Sequence, residues 1–152
     1  MVLQLFIGTL AVTVTVVLSA TMIWIASRIL SHMSDRLAQP PYALKTIVIV
    51  SAITLWLMGA MSVSIWVWAL FFWGLDIFTN FEPALYFASV SFTTLGFGDI
   101  LLPVEWRLLS GICAANGLIL FGLSAAYLFE LFSRLHAAHV EHRRRMMEDQ
   151  AV

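Results

Sequence analysis

The sequence predicts an all-α integral membrane protein with three transmembrane helices and one short re-entrant segment. The composition is 61% hydrophobic and 11% charged, and the mean hydropathy is +0.93, which is far more apolar than a soluble domain. Apolar segments long enough to span about 30 Å of hydrocarbon occur three times along the chain. Between the second and the third lies a short aromatic helical pattern followed by a glycine-rich stretch. The 152 residues leave room for no more than one ordinary domain.

The first apolar segment runs from Val2 to about Ile25 and predicts a retained transmembrane helix. A cleaved signal peptide is the alternative, but no Lys or Arg precedes the run, and the run exceeds the usual apolar core of such peptides. The threonine hydroxyls in this segment are expected to bond back to carbonyls of the same helix. They belong to Thr9, Thr13, Thr15 and Thr21.

A polar connector separates this helix from the second apolar segment, which extends from about Ala43 to Trp73. Pro40-Pro41 cannot continue a helix, so the connector is expected to be irregular. Its charged residues are Arg28, Asp35, Arg36 and Lys45. Several indoles crowd the far end of the second segment, which is typical of a membrane–water boundary. They are Trp66, Trp68 and Trp73.

A short helix is predicted from about Pro83 to Phe92. Proline suits the first turn of a helix, and Glu82 just ahead of it favours the positive end of the helix dipole. The helix is too short to span the bilayer, and irregular backbone at membrane depth is tolerated only where protein or water covers it. The pattern therefore predicts a re-entrant segment at a central pore, with the negative end of the helix favouring a cation.

Residues 91–99 carry glycines at alternate positions, Gly96 and Gly98. Glycine adopts φ > 0 freely, so alternating it with ordinary residues can turn successive carbonyls toward one side. Such a ladder of oxygens can replace the water shell of a dehydrated monovalent cation. One chain supplies only one edge of the cage, which implies several copies around an axis.

The stretch Thr93-Thr94-Leu95-Gly96-Phe97-Gly98-Asp99 resembles the selectivity filter of the potassium channel family. The likeness covers residues 82–99 and, more loosely, continues to about 132. Ala84-Leu85-Tyr86-Phe87 resembles the start of the family's pore helix. Pro103 followed by Arg107 resembles the lead into its inner helix.

The resemblance implies a homotetramer that binds K⁺ in the filter and needs no organic cofactor. In family terms, backbone oxygens coordinate the ion and the hydroxyl of Thr94 adds a ring at the cavity end. The implied K⁺-binding residues are Thr94, Leu95, Gly96, Phe97 and Gly98. The implied filter supports are Thr93, Asp99, Tyr86 and Phe87. Phe97 departs from the family's commoner Tyr and lacks a hydroxyl that could brace the filter, and Leu95 replaces the usual Val or Ile.

Two of the supports carry open alternatives. Asp99 is expected either to be hydrogen-bonded behind the loop at its outer exit or to be a solvated charge at the mouth. Tyr86 and Phe87 either form an aromatic cuff around the filter or pack the short helix in its apolar surroundings.

The last apolar segment begins near residues 106–108 and ends at about 132. Matching Gly117 to the family's inner-helix hinge makes one helix face the pore lining, with Phe129 as a candidate hydrophobic gate. The implied lining and gate residues are Asn116, Gly117, Leu118, Phe121, Ala125 and Phe129. As alternatives, Asn116 joins two helices by a hydrogen bond, Phe129 packs against a neighbour, and the glycines serve close helix packing.

The predicted parts are an extra helix with a cytoplasmic connector in 1–42, a pore domain in 43–134 and a basic tail in 135–152. The basic residues of the connector and of the tail are expected on the same side of the membrane, and the positive-inside rule makes that side cytoplasmic. They are Arg28, Arg36, Lys45, Arg134, Arg143, Arg144 and Arg145. The other side holds Arg107 and an acidic set that concentrates cations: Asp76, Glu82, Asp99 and Glu105. We expect an N-terminus outside and a C-terminus inside a plasma (cell inner) membrane.

The tail histidines His136, His139 and His142 recur at every third position. One interpretation is a cytosolic pH sensor. The other is a solvated tail that residues 143–145 anchor at anionic lipid.

The predicted function is a potassium-selective channel. A nonselective monovalent cation channel and a non-conducting scaffold or auxiliary subunit are the alternatives. Membrane lipids and further copies of the chain are expected partners, an unidentified regulatory subunit is left open, and nucleic acid is not expected. No residue pattern suggests catalysis, the single Cys113 excludes an internal disulfide, and no helix carries Arg at every third position, so intrinsic voltage sensing is not expected.

Overall fold

The computed structural model describes the backbone of residues 2–32 and 42–150. Its α-helices are α1 (Val2–His32), α2 (Tyr42–Gly74), α3 (Phe81–Phe92) and α4 (Arg107–Gln150), and a 3₁₀ turn, Val104–Trp106, leads into α4. No strand occurs in these two ranges, which agrees with the predicted all-α class. Asp35, Arg36 and Pro40-Pro41 of the connector lie outside the described residues.

Among the described residues, three helices are long and apolar enough to cross a membrane, in agreement with the predicted number of spans. They cover Val2–Ser31, Leu44–Gly74 and Val104–Ala137. The first and last helices, α1 and α4, extend beyond their predicted C-terminal ends, because the helical conformation continues past the apolar segment. In the additional part of α1, Arg28 lies over the ring of Trp24 one turn earlier, at 5.0 Å from the centroid. In α4, Arg134 donates to Glu130 one turn earlier, at 2.7 Å.

The tail that the sequence separated from the last helix is therefore helical and continuous with it up to Gln150. His136 is exposed on this extension. The side chains of His139, His142 and residues 143–145 lie outside the described part, so both interpretations of the tail stay predictions.

The helices pack around two buried clusters that lie at different levels of the bundle. The upper cluster lies at the end that carries α3 and includes Trp68, Phe72, Phe87, Phe92, Leu109 and Leu120. The lower cluster consists of Ile53, Leu57, Leu131 and Leu135. Residues of α1 pack against both clusters, so α1 lies along α2 and α4 over most of its length.

Small residues bring α1 close to α4. Gly8 is buried, and a Cβ added there would come within 2.6 Å of Ile112 Cδ1. Between membrane helices the lipid is as apolar as the side chains, so close packing and hydrogen bonds hold the helices together. The first helix is thus an integral part of the subunit rather than a separate anchor.

Charged residues divide between the two ends of the bundle. Arg28, Lys45 and Arg134 lie on the same helix ends as the lower cluster, whose neighbours are residues of 23–30, 49–50 and 127–128. The acidic residues at the opposite end follow α2, begin α3 or flank the start of α4. They are Asp76, Glu82, Asp99 and Glu105.

A left-handed C-cap ends α2. The N–H of Ile77 donates to the carbonyl of Phe72 at 3.2 Å, and the N–H of Asp76 donates to that of Trp73 at 3.0 Å. This pair of bonds is a Schellman motif, whose left-handed residue is usually glycine. Here it is Asp76, with φ 54°.

Replacing Asp76 by glycine is therefore expected to stabilise the subunit by up to about 1 kcal/mol, because glycine adopts this φ without a steric penalty. Thermal unfolding of the detergent-solubilised protein measures the change. Asp76→Ala is the matched control, since it removes the same carboxylate but keeps Cβ. Equal melting temperatures for the two variants would show that the backbone conformation contributes nothing.

Candidate ion-binding loop

Amide groups of the following loop cap the C-terminal end of α3 by hydrogen bonds. The amides of Leu95 and Gly96 both donate to the carbonyl of Val90, at 3.0 and 3.4 Å. The hydroxyl of Thr93 bonds back to the carbonyl of Ser89 at 2.7 Å. These bonds satisfy carbonyls that a helix end leaves free, and they attach the first loop residues to α3.

The sign of φ alternates along the loop backbone. Thr94, Gly96 and Gly98 have φ of 60°, 59° and 75°, while Leu95 and Phe97 between them do not have positive φ. The two glycines were singled out in the sequence for this freedom. Thr94 was not, because a β-branched residue at positive φ costs about 1–3 kcal/mol and is rare.

Nothing in the described part of the chain covers this loop. Every residue from 93 to 99 is exposed in the single subunit, and Leu95 and Phe97 are 57% and 65% exposed. Large apolar side chains and irregular backbone are thus presented together beside apolar helices. A lipid-exposed loop of this kind does not occur within the hydrocarbon region, so protein or water has to cover it.

Tyr86 joins α3 to the far end of the loop. Its hydroxyl donates to Asp99 Oδ2 at 2.6 Å. This hydrogen bond raises the pKa of the Tyr86 phenol and lowers the pKa of the Asp99 carboxyl. Asp99 combines the two alternatives drawn from the sequence, since its carboxylate accepts this bond and is also exposed in the single subunit.

Phe87 has a different role from Tyr86. It is 6% exposed and lies edge-on to Phe72 of α2 at 5.3 Å and beside Phe78 at 5.7 Å between ring centroids. These contacts favour the packing alternative for Phe87, because its ring packs α3 against α2. Of the two aromatic residues, Tyr86 is the one that contacts the loop through a described hydrogen bond.

The hydrogen bond between Tyr86 and Asp99 gives a pH prediction. Asp99 stabilises the folded loop above its ordinary pKa of 3.8, and this contribution is lost as pH falls through its lowered pKa. Tyr86 contributes below its ordinary pKa of 10.0, and this contribution is lost as pH rises through its raised pKa. The bond is therefore complete between these limits, and we expect amide exchange of residues 93–99 to show no titration from it between about pH 5 and pH 9.

Tyr86→Phe removes the donor and is expected to speed that amide exchange severalfold throughout the same pH range, as hydrogen–deuterium exchange read by mass spectrometry would detect. Tyr127→Phe is the control, because Tyr127 accepts a bond from Ser27 at the other end of the bundle. Unchanged exchange in Tyr86→Phe would rule out this residue as a support of the loop.

Gly117 of α4 lies directly against the end of α3. A Cβ added to Gly117 would overlap the carbonyl oxygen of Phe92 and lie 2.8 Å from its carbonyl carbon. Gly117 was predicted to belong to the pore-lining set, but in the subunit it is buried against α3. The close-packing alternative describes this glycine.

Asn116 is the second member of the pore-lining set that is buried inside the subunit. Residues two apart on a helix differ by about 200°, so Asn116 and Leu118 face opposite sides of α4. Asn116 is 1% exposed, and its Oδ1 accepts bonds from the hydroxyl of Thr15 at 2.9 Å and from Nε1 of Trp68 at 3.0 Å. It joins three helices inside the subunit instead of facing a cavity.

The remaining members of the set share one uncovered side of α4. All of them are exposed in the single subunit, and one also approaches α3, since the rings of Phe121 and Phe92 lie 6.4 Å apart. They are Leu118, Phe121, Ala125 and Phe129. Nothing in the described ranges covers this side, which agrees with either pore lining or contact with a neighbour.

Two contacts of the buried group around Asn116 were not predicted from the sequence. The hydroxyl of Thr15 does lie 3.0 and 2.9 Å from carbonyls of its own helix, as expected, but it also lies 2.9 Å from Oδ1 of Asn116. Trp68 was expected at the membrane boundary, but it is fully buried. The signal that could have found them is Asn116 itself, because a buried amide needs partners.

Comparison with known proteins places the chain in a family. A family profile described as "Ion channel" matches residues 43–134, more than half of the chain. The human "Voltage-gated potassium channel regulatory subunit KCNG3" is 32% identical over 66 residues. That alignment spans 39% of this chain and only 15% of the human protein, and no solved structure matches the chain. With the profile over the helices that flank the loop and the Thr-Thr-Leu-Gly-Phe-Gly-Asp sequence in the loop itself, the chain belongs to the potassium channel family.

Proposed function

We propose that four copies of the chain form a potassium-selective channel whose filter is the loop from Thr94 to Gly98. The observation that carries this proposal is an exposed loop with alternating φ at the end of a short membrane helix. Backbone that alternates in this way directs successive carbonyls to one side, as a filter requires. Each ring of oxygens needs several subunits, and closed symmetry supplies them.

Assembly around an axis would also cover the apolar surfaces that the single subunit leaves exposed. The exposed loop needs a cover of protein or water, and the uncovered side of α4 needs a partner or a water-filled cavity. If the loops face one axis, the exposed α4 side lies below them and lines the path. Phe129, which is 74% exposed, then forms the hydrophobic constriction at which dewetting closes the pore.

The charge distribution supports an orientation with the loop outside. Arg28, Lys45 and Arg134 lie at the lower end with Glu130, whereas the upper end holds Asp76, Glu82, Asp99 and Glu105 with Arg107 as its one described base. The positive-inside rule makes the lower end cytoplasmic, so the N-terminus is outside and the acidic end faces the medium in a plasma membrane. Acidic groups there raise the local concentration of cations before they enter.

The proposal is tested by flux from K⁺-loaded liposomes that contain the purified protein, with Ba²⁺ as a competing ion. Selective K⁺ efflux that Ba²⁺ blocks is expected, together with a tetramer by mass measurement in detergent. Equal K⁺ and Na⁺ permeability would replace the proposal by a nonselective cation channel. A monomer without flux would overturn it.

A second candidate is an auxiliary subunit, which one comparison favours because the human relative is called a regulatory subunit. In that case the chain conducts only when mixed with another channel subunit. Flux from liposomes that hold this protein alone separates the two candidates, since an auxiliary subunit gives none.

A further inference from the structure

A buried polar group joins three helices in the middle of the upper cluster. Oδ1 of Asn116 in α4 accepts a bond from Trp68 of α2 at 3.0 Å and lies 2.9 Å from the hydroxyl of Thr15 in α1. The single proton of that hydroxyl is shared between Asn116 and the carbonyls of Ala11 and Val12, at 3.0 and 2.9 Å. All three side chains are at most 1% exposed. We name this group the Thr15–Asn116–Trp68 triad.

The geometry of the triad sets the rotation of α4. An indole N–H can only donate, so Oδ1 of Asn116 has to face Trp68. The amide nitrogen of Asn116 then has no acceptor among the described residues. Apolar side chains would fill the same space without an unpaired group, and a single buried asparagine is known to fix helix register at some cost in stability.

The rotation of α4 in turn sets the end of α3. Gly117 follows Asn116 and lies against the carbonyl of Phe92, with no room for even one added methyl group. Phe92 is the last residue of α3 before the loop. A small turn of α4 about its axis at Asn116 therefore either presses on this carbonyl or withdraws from it.

We propose that Thr15 is a positioning residue for the filter, so that the extra helix α1 controls ion selectivity through the triad. Thr15 holds Asn116, Asn116 sets the rotation of Gly117, and Gly117 supports Phe92 at the base of the loop. This role rests on the proposed function, because selectivity has meaning only in a conducting protein. The position of the loop base does not depend on conduction.

The test replaces Thr15 by valine, which has the same shape but no hydroxyl. Reversal potentials in mixed K⁺ and Na⁺ are expected to show a fall in the K⁺/Na⁺ permeability ratio by about fivefold, the factor that one hydrogen bond of typical net strength is worth. Amide exchange of residues 93–99 is expected to rise, with little change in residues 23–31 at the other end of α1. Thr15→Ser restores the hydroxyl and is expected to behave as the wild type.

Thr13→Val is the matched control, since Thr13 is exposed and bonds only to the carbonyl of Thr9 in its own helix. Wild-type selectivity and loop exchange in Thr15→Val would overturn the proposal. Equal acceleration of exchange in all helices would also overturn it, because it would show general loosening. A wild type without K⁺ flux defeats the proposed function instead, and the exchange comparison still decides whether Thr15 positions the loop.

Discussion

Replacing Gly117 by alanine is expected to destabilise the subunit by about 3 kcal/mol or more, at or above the top of the range for overpacked cores. The added Cβ would overlap the carbonyl oxygen of Phe92 and lie 3.2 Å from its ring carbon Cγ. The obstacle is backbone at the end of α3, so a change of side-chain rotamer does not relieve it. Thermal unfolding in detergent, followed by tryptophan fluorescence, measures the loss.

Gly122→Ala is the matched control on the same helix, because nothing lies within 4 Å of a Cβ added there. Alanine favours a helix over glycine by up to about 1 kcal/mol, so this variant is expected to be as stable as the wild type or more so. If Gly117→Ala and Gly122→Ala have the same melting temperature, the contact between α4 and Phe92 does not contribute to stability.

Replacing Gly96 by alanine is expected to abolish K⁺ flux and leave the fold and the oligomer intact. Gly96 has φ 59° and no atom of its own subunit within 4 Å of an added Cβ, so within the subunit the effect is one of backbone conformation. A left-handed L-residue costs roughly 1 kcal/mol or more, which sums to about 4 kcal/mol over four subunits. This corresponds to about a thousandfold fall in the population of the ordered filter. Liposome flux reads the loss, and mass measurement reads the oligomer.

Gly59→Ala is the control for replacing a glycine by alanine, since Gly59 lies within α2 and nothing in the subunit lies within 4 Å of a Cβ added there. We expect wild-type flux from that variant. Undiminished flux in Gly96→Ala would contradict the assignment of this loop as the filter.

The contrast between Gly96 and Thr94 shows what could be predicted for the loop. Alternate glycines predict positive φ at 96 and 98 because glycine alone adopts it freely. No local preference predicts φ 60° at Thr94. The N–H of Leu95 donates to the carbonyl of Val90 and the N–H of Thr94 to that of Ser91, both at 3.0 Å. This is the same Schellman pair that ends α2, so the C-cap of α3 overcomes the preference of the residue itself.

Trp68 and Asn116 show that the sequence also could not predict which helical residues are buried in the core. An indole in an apolar segment suits both a membrane boundary and a core, because it has an apolar body and one polar group. Only the position of Asn116 on a neighbouring helix decides for the core. For Asn116 the sequence left open whether it faces a cavity or joins two helices, because a polar amide within an apolar helix suits both, and the packing of the helices decides for the second.

The sequence by itself determined the membrane class, the three spans, the short helix and the glycine-dependent loop. These features follow from hydropathy, segment length and backbone freedom, which are properties of neighbouring residues. The tertiary structure alone decided that α1 is built into the subunit, that Gly117 supports α3, and that Thr15, Asn116 and Trp68 meet. These contacts join residues 25 to 104 positions apart, from Gly117 with Phe92 to Gly8 with Ile112, and they depend on how whole helices pack, which no local pattern encodes.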